Sequence, residues 1–295
     1  MTTFGSHIEN VLSRSLAGLR SYVLNAGKCC DLKGLDFSGG NAPDYDNHGI
    51  QLLYLLRYYG AYLCEYRKIY AEVLEFLDQD RIRVLSLGSG CCVDLAGLYF
   101  ELEEHGLGPD RVQYRGYDSV NWHWRFEAQD LDTRVIHRNV ARMSRKERPI
   151  NVMIFPKSLG DFSGADHREL VAAIRDCEFS ASKVVVVSSA RAVDPSLDRD
   201  VRRFAEIVGE FRSKGYETGD DPMVYTHYPY APAWARLFPG FSIPDEVVAY
   251  LKGLALHCPV RRQNGVPCKM DCDALSRYPI LKSGQVRYQV VRLTR

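Results

Sequence analysis

The segment Val84-Leu-Ser-Leu-Gly-Ser-Gly-Cys-Cys-Val-Asp94 reads as a strand that enters a glycine turn and leaves it as a helix. Gly88 and Gly90 suit such a turn, which is tight and lets a ligand approach a backbone without Cβ atoms. Ser89 lies between them, and helix-start amides face whatever the turn holds. The next apolar run ends in a carboxylate, Asp118, with Ser119 after it. At a strand tip that carboxylate can accept hydrogen bonds from both hydroxyls of a ribose; capping the next helix is its simpler role. Val120, Trp122 and Trp124 follow, with the right character to cover one face of an adenine. Asn139, beside Val140, can hydrogen-bond the adenine edge from the end of a third strand. A fourth strand ends in Pro156-Lys157-Ser158-Leu159-Gly160-Asp161. There Lys157 can hold a substrate carboxylate or phosphate, Ser158 can hydrogen-bond the reacting group, and Asp161 can take a proton. Each of the three also suits a solvated turn.

Those residues need a sheet to gather them, and the chain from residue 81 to about 228 reads as one. Apolar runs at 82–87, 112–117, 134–137, 151–155 and 183–189 alternate with helical patterns at 93–104, 167–176 and 197–214. That alternation predicts βαβ units and an α/β fold with a doubly wound, mostly parallel sheet. Val184 to Val187 suit a strand buried on both faces. Further strands near 223–227 and at 286–293 bring the expected number to seven, with residues 229–283 as an insertion before the last. Residues 81–295 thus form one Rossmann-like domain, and residues 1–80 an N-terminal helical extension. In that extension Ser6-x-x-Glu9 predicts a capping box ahead of Ile8, Val11, Leu12, Leu16, Leu19 and Val23 at helical spacing. Residues 31–49 read as loop, and 50–77 as a long helix. Its Tyr54, Tyr58, Tyr62, Tyr66 and Tyr70 form a stripe that packs on the next domain, or of which one or two line a ligand pocket.

A dinucleotide fingerprint needs a third glycine where Val93 stands, which weakens a pyrophosphate site. Leu87-Gly-Ser-Gly90, Tyr117-Asp118 and Phe155-Pro-Lys-Ser158 instead resemble those of class I, Rossmann-like S-adenosylmethionine-dependent methyltransferases, over residues 81–189 and the closing strand. The resemblance implies that Gly88 and Gly90 lie beside the methionine part of the cofactor, that Asp118 binds its ribose and that Asn139 contacts its adenine. It places Pro156 and Lys157 beside the transferable methyl. The sequence departs from the family where Ser86 stands for a common acid and Cys92 for a common third glycine. The implied reaction is an in-line displacement on a sulfonium, for which the protein chiefly supplies orientation. The acceptor is left open among a small molecule, a protein side chain and a structured RNA. The Asp/Asn-Pro-Pro-aromatic signature of amino-directed base methylation is absent, and Cys91 and Cys92 sit in the turn rather than where a pyrimidine-attacking thiol would stand. An NAD-dependent oxidoreductase and a catalytically silent binding module are the alternatives.

With 38 basic and 37 acidic residues among 295, the net charge of +1 excludes bulk electrostatic binding of nucleic acid. Any such partner would need the local basic segment of Arg134, Arg138, Arg142, Arg145, Lys146 and Arg148, which also suits a solvated helix face. Aromatic residues near the expected mouth, Trp122, Trp124, Tyr225, Tyr228, Tyr230 and Trp234, favour a planar or amphipathic acceptor and equally suit lid packing. Cys258, Cys268 and Cys272, with His257, offer a zinc set; adjacency of His257 to Cys258 and the lack of a Cys-x2-Cys knuckle favour free thiols. Nine cysteines, no secretory signal and no apolar run of about 20 residues predict reduced thiols in a cytoplasmic, non-membrane protein.

Overall fold

A computed structural model describes residues 3–26, 29–37, 42–77, 81–139, 149–191, 197–227, 241–260, 272, 275–276, 278–279 and 286–295. Its strands are β1 (Ile82–Leu87), β2 (Val112–Asp118), β3 (Asp132–His137), β4 (Val152–Pro156), β5 (Lys183–Arg191), β6 (Thr226–His227) and β7 (Val286–Thr294). They form one sheet in the order β3-β2-β1-β4-β5-β7-β6. The first five pair in parallel, and β7 runs antiparallel to both β5 and β6. The chain winds outward from β1 to β3, then crosses to β4 and winds the other way. The order therefore reverses between β1 and β4, where the carboxyl ends of two neighbouring strands splay apart into a crevice.

Alternation along β1 divides the core in two. Ile82 and Val84 join the cluster under α1 (Phe4–Asn25), α2 (His48–Leu77) and α3 (Val93–Glu104). Leu85 and Leu87 join the cluster under α4 (Gly164–Asp176) and α5 (Leu197–Ser213). Period-two side chains on a doubly covered sheet give this partition. The four valines of β5 divide the same way, Val185 and Val187 to one side and Val184 and Val186 to the other.

Helix α2 belongs to this core. It packs against α1, α3 and β7, and Tyr58, Tyr62, Tyr66 and Tyr70 of its tyrosine stripe are buried. The backbones of α2 and α3 come close at Gly97, where an added Cβ would lie 2.5 Å from Tyr66 Cβ and 2.9 Å from the Tyr66 carbonyl carbon. Beneath the β1–α3 turn, Asp94 is fully buried and accepts hydrogen bonds from Tyr114 Oη at 2.9 and 3.1 Å. Burial pushes its carboxyl up to about 6, against the pull of the Ser86 and Tyr114 hydroxyls.

Several boundaries differ from the expected ones for local reasons. Helix α1 is capped by Thr3, whose Oγ1 accepts from Ser6 N, while Ser6 Oγ donates back to the Thr3 carbonyl. Ser6 is thus a first-turn residue and not the cap of a Ser6–Glu9 box. Asn47 accepts from Gly49 N at 2.8 Å and starts α2 at His48. Ser163 accepts from Asp166 N and starts α4 three residues ahead of His167. β3 begins at Asp132, where Arg115 of β2 pairs with the carboxylate at 2.9 Å. β6 has two residues, because Asp221 takes the Met223 amide into a side-chain-closed turn at 2.8 Å. Within 229–283, α6 (Asp245–Lys252) is a further helix. Among the described residues, no helix is long and apolar enough to cross a membrane.

Two substitutions test this packing. Gly97→Ala places its methyl against backbone that cannot move aside, so unfolding in urea should show a loss of about 1–3 kcal/mol. Asp94 has a raised folded pKa, so the stability it contributes is present below its unfolded value of about 3.9 and is lost as pH rises through about 6. Asp94→Asn should remove that loss: its stability relative to the parent grows by up to about 3 kcal/mol from pH 4 to pH 7. A constant difference across that range would place the titration elsewhere.

Candidate functional site

The β1–α3 turn is built from backbone that mostly needs glycine. Gly88 has φ 79° and Gly90 φ 55°, and Cys92 takes φ 60° although it carries a side chain. The glycine that Cys92 replaces would occupy this left-handed position without strain. Gly88 N and Ser89 N both donate to the Tyr117 carbonyl, at 2.8 and 3.0 Å, which seats the turn on the end of β2. Asp118 closes the clasp. One of its carboxylate oxygens accepts from Gly90 N and the other from Val120 N, each at 2.7 Å. Its carboxyl is 7% exposed, and burial raises its pKa against the lowering by those two amides, Arg125 and His137.

Beside this clasp lies a cleft of about 350 Å³ at the reversal of strand order. Gly88, Ser89, Gly90, Asp118, Ser119, Trp122, Asn139 and Pro156 all line it. So do Lys157, Ser158 and Asp161. The residues picked from separate strand ends are therefore brought together, save Val140, which lies outside the described residues. Trp122 lies against Gly90 and packs on Tyr45 and Tyr54 at ring separations of 5.3 and 5.2 Å. Trp124 is directed elsewhere, edge-on to Tyr59. Asn139 Nδ2 donates to Asp166 Oδ1 at 3.1 Å, tying the end of β3 to the start of α4.

The fourth-strand loop corrects two expected roles. Lys157 does not present an uncommitted ammonium to a substrate anion. Its Nζ donates to Glu65 of α2 at 2.7 Å and to the Ala190 carbonyl at 2.9 Å, and its side chain is 4% exposed. Burial lowers the pKa of Lys157 and raises that of Glu65. Ser158 does not offer its hydroxyl to an acceptor, because Oγ donates to the Leu87 carbonyl. It also fills the space beside Gly88, where an added Cβ would fall 2.4 Å from Ser158 Cβ. Asp161 is exposed at the cleft rim.

Several lining residues carried no sequence reading as site residues, and Tyr54 carried one only as a member of the stripe of which one or two were expected to line a pocket. Asp44, Tyr45 and Asp46 come from the loop before α2, and Tyr54 from its first turns. Tyr54 is the one member of the tyrosine stripe that lines the cleft. Arg191 ends β5, with its guanidinium 3.5 Å from the Phe37 ring centroid. Its place after a valine run, at the carboxyl end of a parallel strand, was the available signal. For Glu65 the signal was a lone acid inside the apolar run Gly60-Ala-Tyr-Leu-Cys-Glu-Tyr66.

Of the zinc set, Cys258 is buried and Cys272 half-buried, and Cys268 lies outside the described residues. Among the described residues, no group of three or more His, Cys, Asp or Glu side chains is arranged to hold a metal ion. Cys29 hydrogen-bonds Cys258 near Cys30 and Cys272, and burial pushes its thiol up to about 12. Of the basic segment, Arg134 and Arg138 are exposed on and just after β3. Arg142, Arg145, Lys146 and Arg148 lie outside the described residues, as do Tyr228, Tyr230 and Trp234.

No family model and no curated protein matches the chain. Among solved structures it is similar to the plantazolicin methyltransferase BpumL in complex with a monoazolic desmethylPZN analog and SAH, at 12% identity and a TM-score of 0.41 over 98% of each chain. It is similar to a cyclopropane-fatty-acyl-phospholipid synthase-like protein from Lactobacillus casei, at 13% identity and a TM-score of 0.38, over 90% of this chain and 100% of that one. A third is the CurJ carbon methyltransferase, at 14% identity and a TM-score of 0.35, over 96% of this chain and 70% of that one. By its own strand order and glycine turn, the chain has a doubly wound, Rossmann-like α/β fold.

Proposed function

We propose that the cleft binds S-adenosylmethionine and that the protein transfers its methyl group, by in-line displacement, to an acceptor entering at the cleft mouth. One observation carries the reading: a buried carboxylate, Asp118, clasps the glycine turn at the point where strand order reverses. An ionised carboxylate has about four lone-pair sites, of which the two amides take two. The rest suit the paired hydroxyls of a ribose. Gly88, Ser89 and Gly90 line the cleft beside them, and the volume is that of a small-molecule site. Val93 is buried on the cleft wall where a dinucleotide's pyrophosphate needs glycine, which supports the methyl donor over NAD.

The donor, when bound, supplies an electrophilic methyl on a cationic sulfur. The chain's own part is to orient and to exclude water. Asp118 holds the nucleoside end, the glycine turn lies beside the methionine part, Asn139 stands at the far rim, and Pro156 shapes the wall at the end of β4. Tyr45, Tyr54 and Phe162 add aromatic surface, and Asp161 at the rim is placed to take a proton from an acceptor that starts protonated.

Thermal unfolding with S-adenosylmethionine, S-adenosylhomocysteine and NAD side by side tests this. Each of the first two, at a hundred times its Kd, should stabilise the fold by about 2.7 kcal/mol, and NAD should do nothing. Asp118→Ala should abolish the shift in a protein that keeps its far-ultraviolet dichroism. Stabilisation by NAD alone, or full cofactor binding by the variant, would defeat the assignment.

A further inference from the structure

The pairing of Lys157 with Glu65 is expensive to build. Glu65 is fully buried on α2, and its Oε1 and Oε2 lie 2.7 and 2.6 Å from Lys157 Nζ. The ammonium also sits 4.7 Å from the centroid of the Tyr62 ring. Lys157 itself holds a left-handed backbone, φ 60°, in a residue that is not glycine. Two apolar side chains of like volume would hold α2 to β4 at least as well, because desolvating an ion pair offsets its attraction. Strain and a buried pair at one point of a cleft wall suggest a task beyond adhesion.

Charge supplies that task. Lys157 and Arg191 stand at the ends of the adjacent parallel strands β4 and β5, two cations on one wall of the cleft. The proposed donor is itself cationic at sulfur, whereas the product left after transfer is a neutral thioether. A bare ammonium on that wall would repel the donor and spare the product. We infer that Glu65 cancels the Lys157 charge so that the cleft can hold a sulfonium, and that it thereby sets the preference between methyl donor and demethylated product.

The inference rests on the methyl-donor reading and deepens it. The groups facing Lys157 are Glu65 and Tyr62 of α2, and Ser189, the Ala190 carbonyl and Arg191 of β5, with Asp161 at the rim beyond. Burial and Arg191 both push the Lys157 pKa down, while Glu65 pushes it back up. With the carboxylate removed, the downward push of burial and Arg191 stands unopposed, so the variant's ammonium is lost at lower pH than the parent's.

Calorimetric titration of the full chain with S-adenosylmethionine and S-adenosylhomocysteine, in a series from pH 5 to pH 9, gives the test. The ratio of the two affinities cancels the amino-acid tail that both ligands share. In Glu65→Gln the ratio at the acid end of that range should shift against the donor by about tenfold or more relative to the parent. That shift should shrink at pH 9. Glu65→Gln combined with Lys157→Met buries no charge at this point and should return the parental ratio. If Glu65→Gln does not fold, Lys157→Met carries the test with the opposite sign, its ratio moving towards the donor as pH rises and Glu65, no longer held down by Lys157, ionises. Parental ratios across the pH series in every folded variant would overturn the role of Glu65 alone. A parent that binds neither ligand would overturn the methyl-donor reading, and this inference with it.

Discussion

The cleft depends on one carboxylate satisfying two backbone amides. Gly90 and Val120 belong to loops that leave different strands, and nothing else described bonds their amides to a common partner. With Asp118 between them, the glycine turn and the β2–β3 connection become a single edge. The turn's left-handed residues could adopt other conformations at little cost, so the clasp and the Tyr117 carbonyl select this one. A charge-assisted hydrogen bond of this kind is about twice as strong as a neutral one, and its burial protects it from competing water.

The opposite wall is assembled on another principle. Ser158 is locked to the end of β1 through the Leu87 carbonyl, and Lys157 to α2 through Glu65. The strand-four loop is therefore held from both flanks, and its polar side chains are committed to the protein before any ligand arrives. Such prior commitment is how a site keeps its shape without help from substrate. Tyr66, whose hydroxyl lies 2.6 Å from Ser189 Oγ, extends the same linkage into β5.

Much of this was legible in the residue order, and the reasons are local. The parallel sheet follows from short apolar runs spaced by helical patterns, and the cleft from a glycine turn and an acid at successive strand tips. The side-chain assignments in the fourth-strand loop were less legible, because Lys157 and Ser158 find their partners at Glu65 and Leu87, 92 and 71 residues away. A motif shows what a residue type could do, and only the fold shows what has already claimed it. The same holds for Thr3, which took the capping role that Ser6 and Glu9 spelled out on paper, and for Cys29, whose neighbour Cys258 lies far along the chain.

Because Glu65 neutralises a lysine on another segment, α2 and the sheet cannot be exchanged as separate modules. A chimera that borrows the sheet from one homologue and the helix from another would inherit a lone buried ion unless both positions travelled together. Recombination breakpoints between residues 65 and 157 are therefore tolerated only where donor and recipient agree at both. The helical N-terminal portion is, in that sense, part of the inheritance of the cleft.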